Sequence, residues 1–557
     1  MKPLHLFYTG FIMATTFSCK KGDGGGAIAP PVLPTSFSFS SLRINGSFNG
    51  FDYTGVNITP VVKVSFSAPI KRSSAATSFT FKNDAGAVVS FTPTFENNDS
   101  TVVLQPASAL DYLTRYTVSA NTTLQSAAGG KLLSAIDVKL YTSIDSSDKF
   151  PTITDAALLD KVQQQTFKYF WDFGHPTSGL ARERNTSGDL VTSGGSGFGI
   201  MAILVAIERG FITRTEGLAR IQKMAGFLKN TAQRFHGVYP HWLNGATGVV
   251  IPFSTKDNGA DLVETSYLIQ GLLCARQYFT GTSTAETAVR SDINAICDNV
   301  EWSWFRKGAE NVLYWHWSPN YSWDMNLPIK GWNECLITYI LAATSSSYAI
   351  PATVYQNGWA ANGAIKNTTP AYGYTIPLGT PTGGPLFFSH YSFMGLDPRG
   401  LQDSYGKYDT QVVNHTKVNY NYCVANPQNN YGYSSSCWGL TASDIQNGYT
   451  ASSPSNDVGV IAPTAALSSF PYTPVESMRA LKFFYYKLGD KIWKDYGFTD
   501  AFSLKTPWFA DSHLAIDQGP IIVMIENYRS GLLWKLFTSC PEVKSQLKNL
   551  GFTAPYL

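Results

Sequence analysis

Carboxylates in polar, aromatic surroundings are the residues of this chain whose types and spacing could do chemistry. Asp257, Asp261 and Glu264 follow one another at spacings of four and three residues, so all three can share one face at the start of a helix. A helix cap followed by acids that the helix dipole favours would give the same pattern without catalysis. Three crowded carboxylates repel one another, however, and such repulsion raises the pKa of one of them toward the range of acid catalysis.

Two further acids stand at predicted helix starts. Glu334 follows Asn333, which can cap a helix, so Glu334 is expected in the first turn, at the end of an aromatic loop. Asp517 precedes a very apolar segment, and a helix N-terminus there favours its ionised form. A structural cap or first-turn acid remains the alternative for each of them.

Aromatic and polar side chains in the long connections are predicted to bind substrate. Tyr and Trp combine a flat apolar body with a polar handle, which suits the face of a sugar ring. Core packing and loop salt bridges are the alternatives, and the sequence alone does not choose between them. The predicted substrate-binding residues are Arg182, Trp315, Trp323, Trp332, His390, Tyr391, Arg399 and Trp438.

Other chemistries lack support in the sequence. No HExxH, Walker A or GxSxG motif is present, and the histidines are scattered, so neither a metal nor a cofactor is predicted. The formal net charge is only +3 and no run of Lys and Arg exceeds two residues, which argues against a nucleic-acid partner. Paired acids with aromatic platforms favour glycoside hydrolysis.

Two regions of different periodicity must position these residues. Residues 36–147 predict an immunoglobulin-like β-sandwich, a spacer rather than a binding module, because short β-branched runs alternate with turn signals. Those runs are 61–67, 79–81, 88–91, 101–104 and 116–119. Residues 153–557 contain segments that are apolar at helical spacing, 473–488 and 518–536 among them. Paired helices with long loops predict an α/α toroid, with a generic helical bundle as the alternative. The fold class is therefore mainly α, preceded by a small all-β module.

The N-terminus predicts export. Residues 1–18 resemble a bacterial lipoprotein signal, Cys19 would carry the lipid, and residues 19–35 form a Gly/Pro-rich tether; an ordinary secretory signal is the alternative. The expected location is the outer membrane, with the periplasmic face favoured and the anchor as the only membrane contact. Among the six other cysteines, Cys423 and Cys437 are the only pair considered for a disulfide.

Long strings resemble a known family. They include "FWDFGHPTSGLARER", "DNGADLVETSYLIQGLLCARQYF", "GWNECLITYILAA", "GGPLFFSHYSFMGLDPRG" and "LAIDQGPIIVMIENYRSGLLW". They are similar to the bacterial glucoamylase-like domain, specifically glycoside hydrolase family 144, the endo-β-1,2-glucanases. The resemblance implies an (α/α)6 barrel without a cofactor, inverting cleavage of β-1,2-glucan, and essential acids at Asp257, Asp261, Glu264, Glu334 and Asp517. The strand region resembles bacterial Ig-like modules, which single-domain members of the family lack.

Three functional hypotheses follow. The first is an inverting, endo-acting β-1,2-glucanase, a monomer that yields sophoro-oligosaccharides with Glu334 as general acid and Asp517 as general base. The second is an exo-acting hydrolase that releases sophorose or glucose. The third is a surface glycan-binding lipoprotein, although a binder gains nothing from five carboxylates that repel one another in one pocket.

Overall fold

The computed structural model describes residues 35–557, so the expected signal peptide, Cys19 and the tether up to residue 34 lie outside the described residues. The chain divides into two compact units. The first comprises the described residues up to Tyr53 together with Thr59–Ala109 and Tyr116–Leu140, and the second contains Tyr141–Leu557 with two short earlier segments.

The N-terminal strands form two four-stranded sheets, with the orders β1-β3-β6-β5 and β2-β8-β7-β4. The strands are β1 Phe39–Ile44, β2 Asp52–Val56, β3 Val62–Phe66, β4 Phe79–Asn83, β5 Thr94–Glu96, β6 Thr101–Leu104, β7 Arg115–Ala120 and β8 Ile136–Thr142, with a short helix, α1 Arg72–Ser78, before β4. The Phe66 ring of one sheet contacts the Phe79 ring of the other at 6.4 Å between centroids. Alternate residues of β3 are buried, as in a strand with one face on a core.

One predicted strand is wrong. Residues 88–91 form isolated bridges, from Val88 to Lys82 and from Phe91 to Pro106, and no continuous ladder. The β-branched pair in this segment imitates a strand, but its backbone bonds go to two different partners, so a ladder cannot extend.

The second unit is helical. Its helices are α2 Asp155–Trp171, α3 Ser193–Glu208, α4 Arg214–Asn230, α5 Leu262–Tyr278, α6 Thr284–Asp298, α7 Leu336–Thr344, α8 Ala352–Val354, α9 Tyr408–Ala425, α10 Pro463–Leu467, α11 Pro474–Lys482, α12 Leu488–Ile492, α13 Ala515–Arg529, α14 Leu532–Thr538 and α15 Pro541–Asn549. Short strands join them: β9 Leu190–Thr192, β10 Trp242–Asn244, β11 Val250–Ile251, β12 Ala260–Asp261, β13 His316–Trp317, β14 Pro370–Ala371, β15 Tyr374–Thr375, β16 Ala442–Ile445, β17 Gly448–Ala451, β18 Trp493–Lys494, β19 Gly497–Phe498, β20 Phe502–Ser503 and β21 Trp508–Phe509.

Two predicted helices are shorter than expected. The predicted segment 473–488 is α11 followed by a π-helical turn, Phe483–Lys487. The predicted segment 518–536 is divided between α13 and α14, because Gly531 adopts a left-handed backbone conformation with φ +69°. Both breaks depend on backbone conformations that hydrophobic periodicity does not report.

Burial separates two kinds of helix. The helices α3, α5, α7 and α13 are buried on nearly all sides, which matches their lack of a polar face. By contrast, α4 and α6 bury one face and expose the other. Local capping defines the starts of these half-exposed helices, as in the reciprocal hydrogen bonds of Thr213 and Glu216 at the start of α4.

Two glycines allow α3 and α5 to touch through their backbones. A Cβ atom on Gly197 would lie 2.2 Å from the carbonyl oxygen of Tyr267, and one on Gly271 would lie 2.2 Å from the carbonyl oxygen of Gly197. No other residue type fits either position without moving a helix.

In the part of the chain that the structure describes, no helix is both long and apolar enough to cross a membrane. The six cysteines of residues 35–557 are all free thiols, including Cys423 and Cys437, so the disulfide that was considered for this pair is not formed.

Candidate active site

The starts of three buried helices meet at one place. The backbone N–H of Gly194, in the first turn of α3, donates to the carboxylate of Glu264, in the first turn of α5, at 2.9 Å. The start of α13 is adjacent, because a Cβ on Gly195 would lie 2.6 Å from the Cβ of Ala515. Helix α7 joins this group through a 2.7 Å hydrogen bond between its Thr338 and Ser266 of α5. The helix N-termini therefore aim their N–H groups and dipoles at a common site.

Asp261 caps α5 and binds two histidines. One carboxylate oxygen accepts from the N–H groups of Val263 and Glu264 at 3.1 and 3.0 Å. The other lies 3.1 Å from His241 Nδ1 and 3.6 Å from His316 Nε2. Burial acts to raise the pKa of Asp261, but the hydrogen bonds from the histidines prevail and hold this pKa well below its ordinary value.

Asp257 lies before the helix, in the loop, and not on the helix face that the spacing predicted. Its carboxylate is 3.4 Å from Nε2 of His316, which the pairing of β12 with β13 brings beside Asp261. Burial and the charge of Asp261 raise the pKa of Asp257 to about 6. Repulsion within this acid cluster therefore does raise a pKa, as the sequence predicted.

Glu264 is fixed at the start of α3. Its Oε2 accepts from the N–H of Gly194 and lies 3.4 Å from the Thr192 hydroxyl. A Cβ on residue 194 would lie 2.3 Å from this oxygen, so the contact requires glycine. Burial raises the pKa of Glu264, and the hydrogen bond from Gly194 opposes this effect.

Glu334 lies just before α7, and not in its first turn as predicted. The side chain of Asn333 accepts from the N–H of Cys335 at 3.0 Å and closes a turn there, so the helix begins only at Leu336. Burial and the charges of Glu264 and Asp261 raise the pKa of Glu334 to about 7. At neutral pH a large fraction of this carboxyl is therefore protonated.

Asp517, in the first turn of α13, forms a pair with a carboxyl that the sequence analysis missed. Burial, together with the charge and hydrogen bond of Asp500, raises the pKa of Asp517 well above its ordinary value. Burial also raises the pKa of Asp500, to about 7. The expectation that the helix start keeps Asp517 ionised is therefore not met, because a helix dipole contributes only ~1 kcal/mol against these effects. No periodicity or spacing marks Asp500, which follows a two-residue strand.

Tyr391 lies near carboxyls from three parts of the chain. Its ring contacts that of Tyr267 at 5.5 Å between centroids. Burial raises the pKa of Tyr391 well above its ordinary value, and the charges of Asp517, Glu264 and Glu334 raise it further. Carboxyls from all three predicted acid positions therefore lie near enough to one phenol to act on its charge.

Of the other predicted ligands, Trp315 also lies here, with its ring stacked 5.7 Å from that of His316. Trp323 lies in an aromatic cluster with Trp304, at 4.8 Å between centroids. Trp332 is buried against Trp359 and Phe393.

The remaining predicted ligands are engaged elsewhere. Trp438 is fully buried in the core and donates to the carbonyl of Glu476, so the prediction that it binds substrate is wrong. His390 is buried against Ser469, and burial lowers its pKa to about 3. Arg399 forms an ion pair with Asp397.

Arg182 donates to the carbonyls of Phe173 and Gly188 and lies over the Phe173 ring. Two residues further along, Arg184 lies near Asp444 and Asp500. It pairs with Glu183 at 2.9 Å and with Asp444 at 3.3 Å, and Asp444 in turn donates its backbone N–H to Asp500.

Among the described residues, a group of one histidine and two aspartates has the side-chain types that can bind a metal ion. The ligand atoms of His241, Asp257 and Asp261 lie within 4.8 Å of one another. Although burial lowers it, the charges of Glu264 and Asp261 raise the pKa of His241 to about 9, so a proton occupies this imidazole at neutral pH. These residues therefore fit an imidazolium–carboxylate pair better than a metal ion, which needs neutral imidazole.

The site combines Glu334, a carboxyl that is partly protonated at neutral pH, with the buried carboxyl pair of Asp500 and Asp517. One proton donor and one proton acceptor on opposite sides of a bond are what inverting glycoside hydrolysis requires.

Comparison with known proteins agrees with this class. The family model Glycoamylase, described as "Putative glucoamylase", matches residues 326–541, and the Bacterial Ig-like domain model matches residues 44–142. An endo-β-1,2-glucanase from Chitinophaga pinensis, solved with sophorotriose and glucose, is 54% identical with a TM-score of 0.71, covering 73% of this chain and 100% of that chain. A β-1,2-glucanase from Parabacteroides distasonis is 35% identical with a TM-score of 0.70, covering 94% of this chain and 74% of that chain.

The chain therefore belongs to the glucoamylase-like glycoside hydrolase family that contains these β-1,2-glucanases, of the family 144 type, and carries an Ig-like domain before it. A curated relative from Parabacteroides distasonis, an exo β-1,2-glucooligosaccharide sophorohydrolase acting at the non-reducing end, is 44% identical over 444 residues. The match covers 75% of this chain and 61% of that relative's length.

Proposed function

We propose that this protein hydrolyses β-1,2-glucan with inversion, with Glu334 as general acid and Asp517 as general base. The observation that carries the proposal is the convergence of Glu334, whose pKa is raised to about 7, with the buried carboxyl of Asp517 around Tyr391. The acid protonates the leaving oxygen while the base activates water on the opposite face of the sugar. Asp257, Asp261 and Glu264 shape the sugar-binding site between them.

Endo cleavage to sophoro-oligosaccharides is the proposed mode, supported by 54% identity to the Chitinophaga pinensis endo-β-1,2-glucanase. Exo release of sophorose is the second candidate, supported by 44% identity to the Parabacteroides distasonis sophorohydrolase. The test is a time course on linear β-1,2-glucan with the full chain carrying Cys19→Ala. A ladder of oligomers supports endo cleavage, whereas sophorose as the sole early product supports exo cleavage. Binding of the glucan without any release would refute hydrolysis and favour a glycan-binding protein.

The catalytic assignment is tested by isosteric variants. Glu334→Gln and Asp517→Asn should each lower kcat by ~10²-fold or more with little change in KM. Glu310→Gln and Asp495→Asn are the matched controls, because both residues are exposed. If Glu334→Gln retains wild-type turnover, Glu334 is not the general acid, and that role is assigned to Asp261 or Glu264 instead. A β-anomer as the first product in NMR would refute inversion.

The proposed architecture of the catalytic unit is an (α/α)6 toroid. Support comes from the helices α3, α5, α7 and α13, which are buried on nearly all sides, while α4 and α6 expose one face. An experimental structure should place six inner helices around the acids; any other number of inner helices would refute the toroid.

The proposed location is the outer membrane, through a lipid on Cys19, with the protein as a monomer at the periplasmic face. Cys19→Ala should move the protein from the membrane fraction to the soluble periplasmic fraction. A wild-type protein that is already soluble there would refute the anchor, and light scattering of the variant would measure the oligomeric state.

A further inference from the structure

Asp500 is buried between β19 and β20, and its backbone N–H donates to the carbonyl of Ser512 at 2.9 Å. We propose that Asp500 is a positioning residue that shares one proton with Asp517, so that the two carboxyls act as one base. This inference rests on the proposed function, because it assigns the proton acceptor of that same hydrolysis.

The hydrogen bonding of the two carboxyls supports a shared proton. Asp500 Oδ2 accepts from the backbone N–H of Asp444 at 2.6 Å. Its other oxygen, Oδ1, and Asp517 Oδ2 are both buried and find no donor among residues 35–557. The two side chains nevertheless lie within hydrogen-bonding distance of each other. A single proton between these oxygens satisfies both, whereas two carboxylates would leave both unpaired and repelling.

The surrounding charges also require a proton. Glu183 and Asp444 face the pair from two other segments, and both are ion-paired with Arg184. Among these described residues, the single positive charge of Arg184 therefore faces four carboxyl groups, so it cannot neutralise them all if every one is ionised. The phenols of Tyr391 and Tyr449 also face Asp517. Desolvation and the nearby carboxylate charges raise both of their pKa values, so neither adds charge at neutral pH. The excess negative charge is therefore relieved at the buried Asp500–Asp517 pair.

Within the pair, Asp500 is the anion. The Asp444 N–H donates to it, and the charge of Arg184 favours its ionised form. Asp517 then carries the shared proton on Oδ2. As the water oxygen bonds to the anomeric carbon, one water proton passes to Asp517 Oδ1 and the Oδ2 proton passes to Asp500 Oδ1. The glycosidic carbon–oxygen bond breaks, and the leaving oxygen takes the proton of Glu334. The cycle ends with a neutral pair and an ionised Glu334, and solvent returns one proton from the pair to Glu334.

The kinetic test is Asp500→Asn, which preserves shape. The new amide oxygen can still accept from Asp444, while its NH2 donates to Asp517 and stabilises that anion. We expect kcat on linear β-1,2-glucan to fall ~10-fold or more with KM near the wild-type value, because the amide-stabilised Asp517 anion of the variant is a weaker base than the proton-sharing pair. We also expect the acidic limb of kcat/KM to move to lower pH, because Asp517 loses the charge and the hydrogen bond that raise its pKa. Asp495→Asn, an exposed change of the same kind, should match wild type. Unchanged kcat and an unchanged acidic limb in Asp500→Asn would overturn the proposal.

A second measurement does not depend on activity. Infrared difference spectra at mildly alkaline pH should show the carbonyl stretch of a protonated, buried carboxyl in wild type. This band should be absent from both Asp500→Asn and Asp517→Asn, since each variant removes one partner of the shared proton. A band that persists in Asp500→Asn would show that Asp517 holds its own proton and would overturn the pair. If the band behaves as expected but no β-1,2-glucan is cleaved, the proposed function fails and the proton-sharing pair stands.

Discussion

Replacing Glu334 by Gln should make stability respond to pH in a defined way. The pKa of Glu334 rises from 4.5 to about 7 on folding, mainly because of burial. The folded protein therefore keeps this proton between about pH 4.5 and pH 7, while the unfolded chain loses it. The contribution of Glu334 to stability is fully present below the lower pKa and is lost as the pH rises through the upper one. Gln has no such proton, so the variant gains stability relative to wild type over this window.

The size of the effect follows from the same values. A pKa change of one corresponds to ~1.4 kcal/mol, so the rise to about 7 corresponds to about 3 kcal/mol. Partial exposure of the side chain reduces the expected gain to ~2 kcal/mol. The assay is urea unfolding near pH 5 and near pH 8, followed by Trp fluorescence. All 13 Trp lie from Trp171 onward, so the signal reports the helical unit alone.

An equal effect of the substitution at the two pH values would contradict this prediction. If the free-energy difference between Glu334→Gln and wild type is the same at both pH values, the carboxyl is not desolvated in the folded protein and cannot serve as a neutral-pH acid. Glu310→Gln, at an exposed position, should show no such pH dependence. Because unfolding requires no substrate, this result is independent of the glycan that the enzyme uses.

Three further outcomes are expected. Gly194→Ala should destabilise the helical unit by ~1–3 kcal/mol and lower turnover, because the new Cβ would lie 2.3 Å from Glu264 Oε2; unfolding and kinetic assays that match wild type would contradict this. Arg209→Ala should cost about 3 kcal/mol in denaturant unfolding, because it leaves the carboxylate of Glu526 buried without its bidentate partner; a loss below ~1 kcal/mol would show that the other hydrogen bonds suffice. Denatured Cys19→Ala protein, never exposed to reductant, should react with six equivalents of a thiol reagent, and a lower number would reveal a disulfide.

The acids of the site could be predicted because chain-local chemistry marks them. Asp261 is a helix cap and Glu264 a first-turn acid, and the spacing of a few neighbouring residues is enough to predict both positions. The position of Glu334 could not be predicted to the residue, since the Asn333 side chain closes a turn before the helix instead of capping it.

The features of the site that the sequence did not predict depend on tertiary contacts. Asp500 pairs with Asp517 across 17 positions of chain that contain two short strands, and nothing local marks that approach. Trp438 illustrates the opposite error. A Trp in a core and a Trp on a sugar-binding surface have similar neighbours in the sequence, and only their exposure to solvent in the folded protein distinguishes them.

The glycine contact between α3 and α5 has a consequence for how this enzyme can diverge. Gly197 and Gly271 set the separation of the two helices by main-chain atoms, which every residue shares, and not by side chains, which vary. Substitutions around this crossing therefore leave the distance between the start of α3 and Glu264 unchanged. During evolution the loops at the helix starts can therefore lengthen or change shape, and so alter which glycan chain lengths the enzyme accepts, without moving the acids that break the glycosidic bond. Because main-chain atoms form this contact, changes in neighbouring side chains cannot restore the close approach of the helices once either glycine is replaced.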